Sequence, residues 1–273
     1  AMNRDVNGEY NQIVYWSKLV NWKNQTLTPN TAAIYIMPFF NTQKVGPVVL
    51  EIPPAEGGSI TGTIMDSWQF PLEDVGPAGV DKGKGGKYLI LPPDYKEKIP
   101  AGYILFHSQT YAGYALLRST LKSSSDADVA TAAAYARKIK LYPLSTAAKP
   151  LETHFIDAYD KMFDATIPYN EHFFELLNQM VQAEPWIDRD KVMINTLKAI
   201  GIEKGKAFNP DEKTKELFQS ASTETRSWLA NYYETAYEPF YKERHWFLPY
   251  SEDLVEANTT GYANPNTYPM DSR

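Results

Sequence analysis

Residues 81–96, "DKGKGGKYLILPPDYK", decide the fold class because they enclose a short apolar run between two turn signals. Glycines and lysines precede the run "YLIL", and two prolines follow it. An apolar segment of this length, bounded by Gly and Pro, is typical of a buried β-strand and is too short for an ordinary helix. The stretch therefore predicts a supple turn that leads into a core strand.

Five further runs of this kind lie between residues 32 and 118, separated by segments rich in Gly and Pro: "AAIYIM", "VGPVVLEI", "SITGTIM", "GYILFH" and "GYALLR". No helical period of useful length interrupts them. Short strands at close spacing, with turn signals between them, predict an antiparallel β-sandwich rather than alternating βαβ units. We place this β-domain at residues 1–120.

The apolar period changes to that of a helix near residue 124. Ser and Asp open the first helical stretch, "SSDADVATAAAYARKIKLYPL", and Pro143 ends it. Further apolar faces follow at 155–163, 170–185 and 188–200, and "NPDE" at 209–212 begins a long last helix. The chain is thus predicted to be α+β, with four to five helices forming an all-helical domain over 121–245. Residues 246–273, polar and turn-rich, are predicted to be a linker.

Composition excludes several function classes. The formal charge of −6 (27 − 33) and the absence of clustered Lys and Arg disfavour nucleic acid and anionic membrane surfaces as partners. The longest apolar runs fall short of the ~18 residues that a spanning helix needs, so we expect no membrane insertion. Cysteine is absent, which excludes disulfides, thiol nucleophiles and thiolate metal sites.

The aromatic content is high, at 14% with 19 Tyr and 6 Trp. Tyr and Trp combine a large apolar body with a polar tip, which suits wide interfaces and pocket walls. Alternatively, ordinary packing in a Tyr-rich core explains the same high aromatic content. On the first alternative we expect a homo-oligomer and a small-molecule ligand.

The lysines and glycines of the opening stretch do not form a phosphate loop. A P-loop needs G-x-x-x-x-G-K-[ST] after a strand and before a helix. No Gly stands five residues before Gly83 or Gly86, no Ser or Thr follows Lys84 or Lys87, and a strand follows instead of a helix. The dinucleotide fingerprint fails for the same reason of context.

Three carboxylates beside a tryptophan are the candidate catalytic groups. Asp66, Glu73 and Asp74 lie in "MDSWQFPLEDVGP", just past a strand, where Trp68 can supply an aromatic wall. Paired carboxylates in such a setting can divide acid and base roles between them. The alternative is turn chemistry, in which these side chains cap backbone amides.

Histidines give weaker signals. His107 ends an apolar run and is a candidate base or binding group at the sandwich rim. His154 and Asp157 stand at i and i+3, where a helix would place two ligands on one face, but two ligands do not close a metal site. We predict no metal and no cofactor.

The ordered motifs "YNQIVYW", "TLTPNTAAIY", "VGPVVLEIPP", "DSWQ" and "EDVGPAGVDKGKGGKYLILPPDYK" resemble the family catalogued as domain of unknown function 1254. The segments "IKLYPL", "GIEKGKAFNPD" and "NPNTYPMDSR" resemble its downstream region. The resemblance implies an immunoglobulin-like β-sandwich, then a helical domain, then a jelly-roll region catalogued as domain of unknown function 1214. It also implies that this chain is a fragment that stops before that region, and that the protein is periplasmic or secreted.

One position departs from the family pattern. The family motif reads Pro-Asn-(Asn or Thr)-Asp before a β-run that ends in Tyr, and here Pro29, Asn30, Thr31 and Tyr35 match while Ala32 replaces the acid. A catalytic or ligand-orienting acid would be lost by this change. An acid that only caps a turn would cost about 1 kcal/mol when removed, and function would survive.

Two hypotheses of function follow. The first is an envelope protein that acts as a binding or assembly module and forms homo-oligomers. The alternative is a hydrolase or lyase-type enzyme on a small organic substrate, with a site at the rim of the sandwich. Its catalytic carboxylates would be Asp66, Glu73 and Asp74, and its binding residues Asn30, Tyr35, Trp68 and His107. Convergence of these side chains on one concavity would favour the enzyme.

Overall fold

The computed structural model describes residues 2–25, 30–188, 191–235, 239–244 and 246–247. The chain divides into two compact units, Ala1–Thr166 and Ile167–Arg273. The first unit continues past the boundary predicted at residue 120, because a helix and two strands from 126–157 complete its core and sheets. Apart from residues 246–247, the predicted linker lies outside the described residues.

The first unit contains ten strands and two helices among its described residues. In chain order these are α1 Met2–Val6, β1 Gln12–Tyr15, β2 Ala33–Asn41, β3 Val48–Ile52, β4 Ile60–Asp66, β5 Pro71–Val75, β6 Gly86–Leu91, β7 Ile104–His107, β8 Ala112–Thr120, α2 Asp126–Ala136, β9 Lys140–Pro143 and β10 Phe155–Asp157. The mixed α+β class predicted from the sequence is confirmed.

The strands form two sheets. The six-stranded sheet has the order β10-β1-β2-β8-β4-β5, and the four-stranded sheet has the order β7-β6-β3-β9. All pairs are antiparallel except β1–β10 and β6–β7, which are parallel. The purely antiparallel prediction is therefore wrong for two edge strands. The chain between β6 and β7, residues 92–103, is long enough to return to the start of β6, which a parallel neighbour requires.

One buried cluster joins the two sheets. Because side chains alternate along a strand, Ile34 and Ile36 of β2 point inward while Tyr35 and Met37 point outward. The inward side chains of the six-stranded sheet meet Leu50 and other residues of the four-stranded sheet. Small residues of α2, including Ala132 and Ala136, belong to the same cluster, so the helix lies close to the sheets. We call this side of the six-stranded sheet its inner face, and the opposite side its outer face.

Residues 140–157 differ from the helical prediction. Helix α2 begins as expected at Ser125, whose hydroxyl accepts from the Asp128 N–H, but it ends at Ala136. Phe155 lies in strand β10, and its ring packs edge-on against Tyr15 at 5.6 Å. The tertiary pairing of β10 with β1 thus overrides the local helical pattern. The predicted helical face carrying His154 and Asp157 is wrong, and the Asp157 carboxylate accepts the Ser17 N–H.

The second unit is helical in its described residues. It contains α3 His172–Ala183, α4 Lys191–Thr196, a 3₁₀ turn Leu197–Ile200 and α5 Glu212–Thr235. Gly201 has a φ of 84°, which confirms the left-handed residue predicted at the end of the third helical stretch. The predicted cap of α5 is displaced from Asn209 to Asp211, whose carboxylate accepts the Thr214 N–H at 2.8 Å.

Aromatic stacking organises this second unit. Phe218 of α5 is buried and stacks on Phe174 of α3 at 4.0 Å and on Phe208 at 6.1 Å. The fold of the second unit therefore depends on three phenylalanines from three segments. Within the described ranges, no helix is both long enough and apolar enough to cross a bilayer.

Candidate functional site

Asp66 is a turn-capping residue at the end of β4. It is 1% exposed, and its Oδ1 accepts the backbone N–H groups of Trp68 at 2.8 Å and Phe70 at 2.9 Å. These bonds fix the tight connection to β5, where Gln69 adopts a φ of 64°. A buried carboxylate held in this way organises the backbone, which is the turn chemistry considered as the alternative to catalysis.

Glu73 and Asp74 do not form a carboxylate pair. They are neighbours in β5, so their side chains point to opposite faces of the sheet. Glu73 is opposite the core residue Ile64 and points to the inner face, whereas Asp74 is opposite Thr63 on the outer face. The Asp74 carboxylate accepts the Thr63 hydroxyl at 2.7 Å. Shared acid and base roles for these two groups are therefore not supported by the geometry.

Buried hydroxyls, rather than catalytic groups, lie near Asp66. Thr110 is fully buried, and its hydroxyl donates to the Ala112 carbonyl at 2.7 Å and accepts the Ser67 N–H at 3.1 Å. The Ser108 hydroxyl donates to the Thr110 carbonyl at 2.7 Å. His107, next to Ser108 in the chain, is exposed on edge strand β7. The serine hydroxyl is thus committed to the backbone and is not activated by the histidine.

Asn30 and Tyr35 are brought together at the other end of the six-stranded sheet. The Asn30 side-chain Nδ2 donates to the Tyr35 hydroxyl at 3.2 Å, and the Asn30 side-chain Oδ1 accepts the Ala32 N–H at 2.7 Å. Asn30 therefore caps the turn into β2, although Ala32 replaces the acid of the family motif. The Tyr35 side chain lies on the outer face and is 5% exposed.

Arg118 completes this group, and the sequence reasoning missed it. It is directly opposite Tyr35 in the β2–β8 register, and its guanidinium carbon lies 5.4 Å from the centre of the Tyr35 ring. Arg118 is partly buried. Among the described residues it has no ion pair and no side-chain hydrogen bond. The only sequence signal is its place in "GYALLR", which puts it on the same face as Leu116.

The seven predicted residues do not converge on one concavity. In β8, Arg118 is opposite Tyr35 while Gly113 is opposite Asp66. Five residues of extended chain separate these two rows by about 17 Å. Asn30 and Tyr35 form one group, Asp66 and Trp68 a second at the far end of the sheet, and His107 lies on the other sheet.

The loop of residues 76–85 is organised around Asp81, which is 6% exposed. The two oxygens of its carboxylate accept the Gly76 N–H at 2.7 Å and the Gly85 N–H at 3.0 Å. Gly85 has a φ of 70°, and a Cβ there would lie 2.6 Å from the Ile52 carbonyl oxygen. The amides of this glycine-rich loop therefore point at an internal carboxylate and not at a phosphate.

A buried tyrosine lies beside Asp81. Tyr88 is fully buried, and its hydroxyl has no hydrogen-bond partner among the described residues. Burial raises the pKa of the Tyr88 phenol strongly, and the nearby carboxylates of Asp81 and Glu73 raise it further. Tyr88 thus stays neutral and packs as an apolar side chain. Nowhere in the described ranges do three or more His, Asp or Glu side chains lie close enough to hold a metal ion.

Residues 10–143, from before β1 to the end of β9, match the model of a family described as protein of unknown function (DUF1254). The match supports the family predicted from the sequence motifs. The predicted continuation into the domain of unknown function 1214 stays a prediction. A search of curated proteins found no match to this chain.

The fold is similar to that of a solved structure, the VPA0106 protein from Vibrio parahaemolyticus. The TM-score is 0.59 and the sequence identity is 18%, with 82% of this chain and 52% of the Vibrio chain covered. The chain therefore spans about half the length of that protein. At this identity the likeness concerns the fold alone.

Proposed function

Taking residues 10–143 as a region of the DUF1254 family, we propose that this chain is a binding module rather than an enzyme. Its ligand is a small anion, held on the outer face of the six-stranded sheet by Arg118, Tyr35 and Asn30. The observation that carries the proposal is Arg118, which is partly buried and whose guanidinium forms no ion pair with any described residue.

Charge and desolvation support an anion at this place. A guanidinium that loses part of its hydration without gaining an acceptor is unfavourable, so buried arginines are normally paired. Tyr35 holds the cation through its ring face, but a ring offers no strong acceptor for the five N–H donors. A bound oxyanion supplies those acceptors.

The donor arrangement favours a carboxylate or a similar planar oxyanion. The guanidinium presents a rigid fork that matches two oxygens at once. Tyr35 accepts from Asn30 and so keeps its own hydroxyl proton for a ligand. Asn30 is in turn fixed by the Ala32 N–H, which holds the group in position before the ligand arrives.

A nuclear magnetic resonance titration with acetate and inorganic phosphate, at constant ionic strength in chloride, tests the proposal. We expect the Arg118 Nε–H signal to shift with anion concentration, and Arg118→Gln to weaken binding about tenfold or more. Arg137→Gln is the matched control, because its guanidinium also lies over an aromatic ring, that of Tyr15. Equal binding by wild type and Arg118→Gln, or no response to either anion, would overturn the proposal.

The hydrolase or lyase alternative is less well supported. It needs Asp66, Glu73 or Asp74 as a free acid or base near the binding residues, whereas Asp66 and Asp74 are engaged by amide and hydroxyl donors. Glu73 points toward the core side of β5. The alternative regains support if the purified protein consumes an ester or organic acid and Asp66→Asn abolishes that activity.

Self-assembly is a second proposed function, favoured by an exposed aromatic surface on α5. Trp228 is 57% exposed and stacks on Tyr232 at 5.2 Å, and Leu217, three turns earlier on the same side of the helix, is 60% exposed. Sedimentation velocity at micromolar concentrations tests this role. We expect self-association that Trp228→Ser reduces and that the control Trp22→Ser leaves unchanged. A clean monomer in the wild type would contradict it.

The envelope location and the finer fold description are also proposals. The motif resemblance supports a periplasmic or secreted protein, tested by fractionation of the cells that produce it. The shared core of the two sheets is compatible with an immunoglobulin-like sandwich, and the described helices of the second unit with a helical domain after it. An experimental structure with its strand connections traced tests this description.

A further inference from the structure

We infer that the ligand is an amphipathic monocarboxylate whose apolar chain lies along β8 on the outer face of the six-stranded sheet. This inference rests on the proposed anion site at Arg118. It adds the chemical class of the ligand and the direction in which the ligand lies.

The strand register places an apolar strip beside the guanidinium. On the outer face, Arg118 is followed along β8 by Leu116 and then by Tyr114. The neighbouring strand β4 places Thr61, Thr63 and Met65 opposite these three residues. All six side chains are partly exposed. The surface thus has a cation at one end. Leading away from it is a strip in which Leu116, Tyr114 and Met65 offer apolar area and two threonines lie between them.

The two halves of the outer face differ in how they are covered. On the β1–β2 half, Val14, Trp16 and Met37 are buried in a second cluster, to which Val6 of α1 and Phe163 contribute. On the β8–β4 half, Leu116 and Tyr114 touch that cluster while keeping exposed area. An apolar chain bound there would extend the existing cluster across β8.

Polar groups limit the strip at its side and at its far end. Asp74 of edge strand β5 lies on the same face beside Thr63 and repels a second negative group. At the far end, the Tyr114 hydroxyl donates to the Gln69 side chain at 3.3 Å. Charge complementarity therefore selects a ligand with one anionic end, and beyond Tyr114 strand β8 has only the buried Ala112 left on this face.

The strip has a defined length. Four residues of extended chain separate Arg118 from Tyr114, which is about 13 Å. An extended octanoate is about 10 Å long, and its hydrogen bond to the guanidinium adds about 3 Å, so the bound ligand spans that distance. Each methylene buried completely strengthens binding about fourfold, so a chain covered from one side gains about twofold per methylene.

The inference is tested by isothermal titration calorimetry of the full chain with a series of carboxylates, each below its critical micelle concentration: acetate, butyrate, hexanoate, octanoate and dodecanoate. We expect affinity to rise with chain length up to octanoate and to level off beyond it. Octyl glucoside, whose alkyl tail is one carbon longer and which has no charge, is expected to bind at least tenfold more weakly than octanoate. Arg118→Gln is expected to weaken the binding of every carboxylate about tenfold or more. Leu116→Ala is expected to flatten the chain-length dependence and to leave acetate binding unchanged.

The outcomes separate the ligand class from the anion site. If acetate and octanoate bind equally and both need Arg118, the anion site stands and the amphipathic ligand is overturned. If octanoate binds equally well to Arg118→Gln, or octyl glucoside matches it, the inference is also overturned. Should Leu116→Ala fail to fold, intermolecular nuclear Overhauser effects between the octanoate terminal methyl and the Tyr114 ring decide, and their absence in a saturated complex counts against it.

Discussion

At the scale of single residues, the polar side chains inside the first unit differ in how their hydrogen bonds are satisfied. Asp81 is buried and accepts two backbone N–H groups, so these bonds replace the hydrogen bonds to water that its carboxylate loses on folding. Tyr88 is buried beside it with an unpartnered hydroxyl. A buried donor without an acceptor lowers the stability of the folded state. The ring of Tyr88 stabilises the fold, and its hydroxyl does not.

Replacing Tyr88 with Phe is therefore expected to be neutral or to stabilise the protein by about 1 kcal/mol. Burial raises the folded-state pKa of the Tyr88 phenol above its unfolded value near 10, so the unfolded chain loses this proton first. Stability from this group is complete below about pH 10 and falls as pH rises further. Urea unfolding at pH 8 and pH 10.5 should show wild type weakening more than the variant.

Tyr135→Phe is the comparison for this experiment, because the Tyr135 hydroxyl donates to the Pro53 and Pro54 carbonyls. Its loss should destabilise the protein by about 1 kcal/mol at pH 8. A Tyr88→Phe protein that is less stable than wild type by as much as Tyr135→Phe would mean that the Tyr88 hydroxyl has a partner.

At the scale of elements, strand pairing and side-chain caps decide where the helices and strands end. The six apolar runs between residues 32 and 118 were predictable as strands, because each is a short segment rich in apolar residues and bounded by turn signals. Strand β5, "PLEDV", was not, because its charged residues carry no apolar run and only pairing with β4 orders it. The end of α3, at Ala183, lies within two residues of the end predicted at Pro185. The residue that caps this end could not be predicted, because it is twenty positions away in the sequence.

That residue is Lys204, whose ammonium lies at the C-terminus of α3. It donates to the carbonyl oxygens of Val181 at 3.1 Å, Gln182 at 2.9 Å and Glu184 at 2.6 Å. These are among the carbonyls that a helix end leaves without partners, and the positive charge also complements the helix dipole. The Gln182 side chain adds bonds to the same loop, at the Glu203 carbonyl and the Gly205 N–H.

We expect Lys204→Met to destabilise the second unit by about 1–2 kcal/mol, because the cap is lost while the aliphatic length is kept. Amide hydrogen exchange should then speed up in the last turn of α3 more than in the sheets of the first unit. Lys206→Met is the control, since the exposed Lys206 ammonium pairs with the partly exposed Glu203 and such surface pairs contribute little. Equal exchange in both variants would contradict a capping role for Lys204.

At the scale of the whole molecule, the candidate site could be predicted only in part. Asn30 and Tyr35 were identified from a motif in which they are five residues apart. Their partner Arg118 is more than eighty residues away, and only the β2–β8 register brings it beside Tyr35. Conversely, Asp66, Glu73 and Asp74 are close in sequence, yet β-strand geometry directs Glu73 and Asp74 to opposite faces. Sequence proximity was therefore a poor guide to the site, because the sheet is built from non-local pairs.

The division into two units predicts which part of the chain is sufficient for folding and binding. Both large apolar clusters of the first unit draw all their residues from positions 2–163, and every residue of the proposed ligand surface lies between 30 and 118. A domain whose hydrophobic core is formed entirely by its own residues can fold without the rest of the chain. We therefore expect residues 1–166 to unfold cooperatively in urea and to bind octanoate with a dissociation constant within about threefold of that of the full chain.

A second fragment that ends at residue 120, the boundary predicted from the sequence, is the control. It lacks residues 126–157, of which Ala136, Ile139 and Leu141 are buried in the shared core, so it should not fold cooperatively. Circular dichroism and urea titration of both fragments measure the difference, and cooperative folding of the shorter fragment would show that 126–157 is not part of the first unit.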